Sequence, residues 1–367
     1  MLKKLKKITL QLIAGANVGT LLLMLLVGYS DRLAPADYPM LSTAGMAFPL
    51  FLLLNVAFLV FWLFVKKRYA LIPFFGLLAG FQPVHTYFPL NLPHADSTDS
   101  VLKVLTFNAY DNKRLGQKDF RAQVADYLLD EDAHFVCLQE IAMNDDFRKA
   151  LSDRYAYIDT TRVTRGGETL TLLSKFPIVG KQKIYTEVPG EQEKSARSVV
   201  FFVIVGADTV AVVNNHLEST RLTEQERSNF KRIVKGDMER NAAEQESKKL
   251  IERLAESNQL RQPQVEAVAE NVDSLLTNTG CSVILCGDFN DGPISYSHHL
   301  VNTLLTDCYA DGAFGPAVSY HENALYVRID HIFCSDDWKV LKTKVDTKMS
   351  LSDHYPLIST LKMRPKP

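Results

Sequence analysis

Ser282-Val283-Ile284-Leu285-Cys286-Gly287-Asp288-Phe289-Asn290-Asp291-Gly292-Pro293 is a short apolar run that ends in a carboxylate, a carboxamide and a turn. Val283 to Cys286 suit a strand buried on both faces, because a half-exposed strand would alternate polar and apolar residues. Gly287 and the cluster Asn290-Asp291-Gly292-Pro293 must stop it. In an extended backbone Asp288 and Asn290 point to the same side, with Phe289 between them. A carboxylate and a carboxamide would then leave a buried strand together at its C-terminal end, where ligands collect in sheet-based enzymes. Taken alone, the same residues read equally well as an Asx-rich turn.

Other strands end in the same manner. Val101 to Asn108 is β-rich and stops at Asn108, and Phe135 to Ile141 carries Glu140 at its end. A carboxylate among apolar residues is costly unless paired or bound to a cation, which makes Glu140 a candidate. Thr169 to Ser174 follows Glu168, and a hairpin is predicted from Val199–Val205 and Thr209–Asn214 around Gly206-Ala207-Asp208. Its second arm runs into His216. Tyr326 to Cys334 is a predicted strand with Asp330 embedded, and the chain closes with Ser352-Asp353-His354-Tyr355-Pro356 before Leu357-Ile358. Between these strands, Lys118–Leu129 has helical spacing. Residues 221 to about 275 read as two or more amphipathic helices joined near Ser257 and Pro263, their charges forming a solvated face.

One polar strand end is unremarkable. Asn108, Glu140, His216, Asp288, Asn290, Asp330, Asp353 and His354, recurring in order, form a constellation. Hard oxygen donors with two histidines suit Mg²⁺ or Mn²⁺ rather than zinc. No G-x-G-x-x-G, Walker or HExxH pattern accompanies them.

The ordered set Leu105-Thr106-Phe107-Asn108, Leu138-Gln139-Glu140, Leu172 to Ile178, Asn215-His216-Leu217, Gly287-Asp288-Phe289-Asn290, Arg328-Ile329-Asp330-His331 and Ser352 to Pro356 resembles the endonuclease/exonuclease/phosphatase (DNase I-like) superfamily. It is most similar to membrane-anchored bacterial members with N-terminal spans. The resemblance implies an α/β fold: a four-layer sandwich of two facing, mostly antiparallel sheets with outer helices. It implies Mg²⁺-dependent hydrolysis of a phosphate ester, with Glu140 as principal metal ligand beside Asn108 and Asp353. Asp288 would orient or deprotonate the attacking water, and Asn290 would hold it or the phosphate. His216 and His354 would donate to phosphoryl oxygens, Asp330 would orient His354, and Glu168 would support His216. Asn215 and His331 depart from the usual neighbours of these histidine and aspartate positions without removing a role. A nucleic acid and a lipid head group both remain open as substrate, and a catalytically silent binding module is the reading from another class.

The 367-residue chain has a mean hydropathy of -0.04 that hides a split. Residues 1–100 hold 8 Lys+Arg against 4 Asp+Glu, leaving a net of −5 for residues 101–367. That mild acidity lacks the footprint of a strong non-specific duplex binder. The cysteines, Cys137, Cys281, Cys286, Cys308 and Cys334, are scattered without CxxC spacing and read as free thiols. Residues 1–90 read as a membrane anchor, with uncharged spans at about 8–29 and 40–65 and a third at 69–87, each long enough for a hydrocarbon core of about 30 Å. Lysines before the first span and Lys66-Lys67-Arg68 after the second belong on the cytoplasmic side. Three spans would carry the catalytic domain, 101–367, to the exoplasmic side through a linker at 91–100, whereas an interfacial or re-entrant third segment would leave it on the cytoplasmic side. No protein partner is expected.

Overall fold

Each of the two sheets that follow the N-terminal helices is built outward from a central parallel pair whose residues are mostly apolar and buried. β1 (Val101–Asn108) pairs in parallel with β2 (Phe135–Gln139), every residue of which is buried. This sheet also holds β3 (Tyr157–Arg162) and β4 (Thr169–Ser174). In the other sheet, β5 (Ile178–Thr186), β6 (Ser195–Val205) and β7 (Asp208–His216) form an antiparallel meander. β7 then pairs in parallel with the fully buried β8 (Ser282–Asp288). The short β9 (Thr306–Asp307) and β10 (Asp330–Cys334) complete that sheet, while β11 (Trp338–Val345) and β12 (Leu357–Met363) join the first. Strand orders are β11-β12-β1-β2-β4-β3 and β5-β6-β7-β8-β10-β9. The computed structural model describes residues 1–92, 101–110, 119–164, 167–187, 195–322 and 324–364, so the linker expected at 91–100 falls largely outside the described residues.

The two sheets face each other across a core that includes Val104, Cys137, Leu172, Val212, Ile284 and Ile332. α5 (Phe120–Glu131) and α6 (Asp145–Ser152) cover the outer face of the first sheet. α7 (Glu224–Lys235), α8 (Arg240–Ser274), α9 (Tyr296–Asn302) and α10 (Cys308–Gly312) follow in the chain, and α8 covers the second sheet through Val265, Val268 and Val272. This is the expected four-layer α/β sandwich. The five cysteines are free, and four of them are buried.

The helical region departs from its sequence reading in one respect. α8 runs without a break through Ser257 and Pro263, and the join lies instead at Gly236, whose φ of 73° ends α7. Packing of α8 on the sheet outweighs the backbone hydrogen bond that Pro263 cannot make. The Ser257 hydroxyl turns back along the helix and donates to the Arg253 carbonyl (2.7 Å).

The N-terminal segment consists of α1 (Leu2–Gly28), α2 (Phe48–Val65), α3 (Leu71–Ala79) and α4 (Phe81–Tyr87). Two stretches, Lys3–Arg32 and Leu41–Val65, are long and apolar enough to cross a membrane by length and composition. The third apolar stretch is not one continuous helix. It breaks at Gly80, because Pro83 has no N–H to give the Ala79 carbonyl. The Tyr29 hydroxyl supplies that bond instead, at 2.7 Å. α3 and α4 lie along α1: Gly76 meets Leu21, Gly80 meets Met24 and Leu25, and Pro83 meets Gly28.

This segment docks on the sandwich. Arg328 Nη2 donates to the Thr86 carbonyl (3.1 Å), Asn258 Nδ2 to Ser42 Oγ (3.0 Å), and the Ala36 amide to Gln262 Oε1 (2.7 Å). Gly45 sits so close to the Ile294 carbonyl that a Cβ there would lie 1.9 Å from its oxygen.

Candidate active site

Backbone pairing assembles the site before any side chain is considered. In the second sheet His216 pairs with Asp288 across the parallel β7–β8 ladder, and Asp288 pairs with Asp330 across the antiparallel β8–β10 ladder. In the first sheet Asn108 ends β1 and pairs with Gln139, so Glu140 is the next residue out of β2. The same end of the sandwich therefore gathers polar groups from β1, β2, β7, β8 and β10. Asp353 and His354 arrive from the segment before β12.

Asn108 joins the two sheets. Its Nδ2 donates to Glu140 Oε1 and to Asp288 Oδ2, each at 3.0 Å, while its Oδ1 accepts from the Tyr110 amide at 3.1 Å. His216 Nε2 lies 3.4 Å from Glu140 Oε1 and 3.9 Å from Asp288 Oδ2. His354 Nε2 lies 3.7 Å from the same Asp288 oxygen, and its Nδ1 is 2.8 Å from Asp330 Oδ2. Two imidazoles thus flank one buried carboxylate.

Burial alone would lower the His354 pKa, but Asp330 and Asp288 override it and push the imidazole up to about 10. Burial, with the Asp330 charge adding to it, pushes Asp288 up, against the pull of His354 and His216. Asp353 is likewise raised, chiefly by burial. A buried acid held above its ordinary range and a neighbouring imidazole held cationic are the opposed pair that proton transfer requires.

Three residues here hold left-handed backbone without being glycine: Tyr110 at φ 47°, Glu140 at 52° and Asn290 at 52°. Such conformations cost about 1–3 kcal/mol each and cluster at functional sites. At Asn290 this corrects the sequence reading, since the chain is no longer extended after Asp288 and the shared-side argument does not apply. Asn290 is instead tied back by its own amide, which donates to Asp288 Oδ1 at 2.7 Å, and its Nδ2 donates to the Leu217 carbonyl at 3.0 Å. Gly287, at φ 137°, is required by closeness: a Cβ there would stand 2.0 Å from the Asn215 carbonyl oxygen.

Glu168 lines the same cleft, where Arg197 Nη1 engages its Oε2 at 2.6 Å. Arg197 also binds Glu218 Oε2 at 2.8 Å, and the buried Arg261 pairs with Asp291 at 3.0 Å. Tyr320 accepts from Arg227 Nη1 at 2.7 Å, and its ring meets that of His354 edge to face with centroids 5.1 Å apart. Sequence reasoning missed Arg197, Arg227, Arg261 and Tyr320. Arg197 lies near the start of β6, Arg227 and Arg261 lie within α7 and α8, and Tyr320 lies in the connection before β10, positions that no spacing marks.

The donor set fits a hard divalent cation. Oxygens of Glu140 and Asp288 converge on a single amide, Asp330 Oδ1 is buried without a hydrogen-bond partner, and no cysteine lines the cleft. A geometric grouping of Asp288, Asp330 and His354, with ligand atoms within 4.8 Å of one another, also exists. Its His354 Nδ1 is already committed to Asp330, so that trio is better described as a His–Asp pair beside a carboxylate.

A double-sheet sandwich with this strand-end constellation defines the class of phosphoester-hydrolase folds. Residues 105–354 match the endonuclease/exonuclease/phosphatase family, and the chain belongs to that family. Residues 10–87 separately match a domain of unknown function, DUF8431. A search of curated proteins finds no match. Among solved structures, the fold resembles ANGEL2, a 2',3'-cyclic phosphatase in complex with adenosine-2',3'-vanadate, at 14% identity and TM-score 0.52, covering 75% of this chain and 99% of that one. The human Nocturnin catalytic domain with bound sulfate is similar at 15% identity and TM-score 0.51, covering 72% and 95%. A family member from Leptotrichia buccalis is similar at 14% and 0.52, covering 71% and 100%.

Proposed function

We propose that this protein is a membrane-anchored, Mg²⁺-dependent phosphodiesterase that attacks phosphorus in line with an activated water. The observation that carries the reading is the convergence of Glu140, Asp288, His216 and His354 around Asn108. Asp288 accepts the proton of the attacking water, and the Asn290 amide fixes the carboxylate that does so. His354, kept cationic and aimed by Asp330, donates from Nε2 to a phosphoryl oxygen, and His216 donates from the opposite side. Donors fixed in place where charge develops are the largest source of such catalysis, and general-base help adds about 10²–10⁴-fold. Glu140 and Asp353, with Asn108 beside them, would hold the metal. When bound, the ion supplies positive charge to the phosphoryl oxygens. Glu168 acts through Arg197 to shape the cleft.

Residues 1–90 form the anchor and residues 101–367 the catalytic domain. On this reading α1 and α2 cross the bilayer and the broken α3–α4 returns along α1 as a third pass, with the catalytic domain on the exoplasmic side. Lys3 to Lys7 and Lys66-Lys67-Arg68 lie at the end of the bundle away from the sandwich, as a cytoplasmic face requires. Nuclease action and lipid head-group cleavage both suit the chemistry. Retention of every strand-end residue disfavours a silent binding module. The test is hydrolysis of a generic phosphodiester by the full-length protein with Mg²⁺ and with EDTA. Metal-dependent turnover that Asp288→Ala abolishes supports the proposal, whereas turnover untouched by either change contradicts it.

A further inference from the structure

The cleft that contains the catalytic residues is about 810 Å³ and its lining is of two kinds. One set is Glu140, His216, Asp288 and His354 at the strand ends. The other is an apolar set, Met46, Pro49, Phe230, Leu250, Leu254 and Leu325, among polar neighbours such as Asn258 and Arg227. Two of these come from the N-terminal segment: Met46 lies in the connection between α1 and α2, and Pro49 is the second residue of α2. The connection is held in place as a wall, through Ser42 to Asn258, Ala36 to Gln262, and the close approach of Gly45 to Ile294. The apolar set therefore abuts the top of a helix long enough to span a bilayer.

Resting on the phosphodiesterase reading above, we propose that the substrate is a membrane phospholipid, with its phosphodiester at the strand ends and the acyl side of its glycerol backbone against the wall that Met46, Pro49, Phe230 and Leu254 form. Water adds to phosphorus, one ester P–O bond breaks, and the departing oxygen leaves as an alcohol carrying a proton from an imidazole, which leaves a phosphate monoester. A single-stranded nucleic acid fits this wall less well. Its recognition uses cations available to phosphates and stacked rings; tyrosines do line the cleft, but Arg197 and Arg328 are engaged by Glu168, Glu218 and Asp307, and Met46, Pro49 and Leu254 of the wall are aliphatic. A pocket this size accommodates a lipid head group with the first part of its tails.

The experiment uses full-length protein in mixed detergent micelles with Mg²⁺. Dioleoylphosphatidylglycerol is compared with glycerophosphoglycerol, the same diester without acyl chains, with bis(p-nitrophenyl) phosphate, and with a single-stranded oligodeoxynucleotide. Because one methylene in an apolar pocket changes specificity by about 10–200-fold, kcat/KM for the lipid should exceed that for its deacylated counterpart by at least about 100-fold. Leu254→Glu and Phe230→Ser should each lower lipid turnover about tenfold or more and leave bis(p-nitrophenyl) phosphate turnover unchanged. Gly45→Ala, which forces the wall off Ile294, should do the same. Equal kcat/KM on the lipid and its deacylated form, preference for the oligonucleotide, or equal slowing of both diesters by the wall variants overturns the lipid assignment and leaves the phosphodiesterase reading standing. Absence of metal-dependent turnover on all four substrates overturns both.

Discussion

The sandwich and the N-terminal helices distribute polar and apolar groups in opposite ways. In the sandwich, apolar strands are buried and polar groups such as Gln139 go inside with a partner: its Nε2 reaches Asn214 Oδ1 across the sheets at 2.7 Å. In the helices the pattern is inverted. Asn17 and Asn55 are fully buried and bonded to each other, and Trp62 Nε1 donates to Asn17 at 3.1 Å. Meanwhile Leu12, Leu22, Leu53 and Phe64 are 60–87% exposed. Apolar surface turned outward and amides turned inward suit lipid as the surrounding medium, where small and polar residues join helices. The two regions meet at Arg328, which is bonded to Thr86 on one side and packed with Asp307 on the other.

Breaking the comparison at its catalytic end gives the largest expected effect. Asp288→Asn should cut kcat by about 10³-fold or more while the thermal midpoint is kept, because a buried charge is removed from a site that already disfavours it. A variant that unfolds instead would assign Asp288 to structure.

Next in size is the junction. Arg328→Met leaves Asp307 buried beside His298 without its guanidinium, and breaking such a pair costs about 3–5 kcal/mol. The midpoint of thermal unfolding should fall accordingly. Asp307 is held well below its usual range: burial opposes this, and Arg328 and His298 overcome it. An unchanged midpoint would mean that the docking contact carries no stability.

Glu168→Gln should lower kcat/KM by about tenfold, since Arg197 would lose one of its two carboxylates but the reacting groups would stay in place. A loss as large as that of Asp288→Asn would place Glu168 in the chemistry itself. Smallest is Asn55→Leu, expected to cost about 0.6–2 kcal/mol of helix association in micelles, measured by unfolding in denaturing detergent. A stabilised variant would remove the polar joint from the inside-out description.

Much of the site was legible because the chemistry falls at strand ends, and strand ends announce themselves by an apolar run followed by a polar residue and a turn. β1, β2, β7 and β8 each stop within a residue of the position that sequence reasoning gave for Asn108, Glu140, His216 and Asp288. Strand pairing was not legible from the runs themselves. The β1–β2 and β7–β8 parallel contacts and the β8–β10 register depend on tertiary packing, and the four-layer arrangement came only from the family resemblance. The bend at Asn290 follows the Asx-turn reading, since its amide donates to Asp288 Oδ1; only its positive φ left no periodic trace. Helix continuity through Pro263 was missed because local propensity was outweighed by packing on the sheet. Arg197 reaches the cleft from a strand start, and Arg261 supports it from a helix interior through Asp291, places where an arginine reads as solvated charge.

The most direct measurement of the central claim is phosphodiester hydrolysis by purified full-length protein, followed with Mg²⁺, with EDTA, and with Mg²⁺ restored, for the native chain and for Asp288→Asn. Turnover that vanishes with EDTA, returns with Mg²⁺ and is absent in a folded Asp288→Asn protein is the predicted result. Hydrolysis that persists in EDTA, or survives intact in Asp288→Asn, would contradict it.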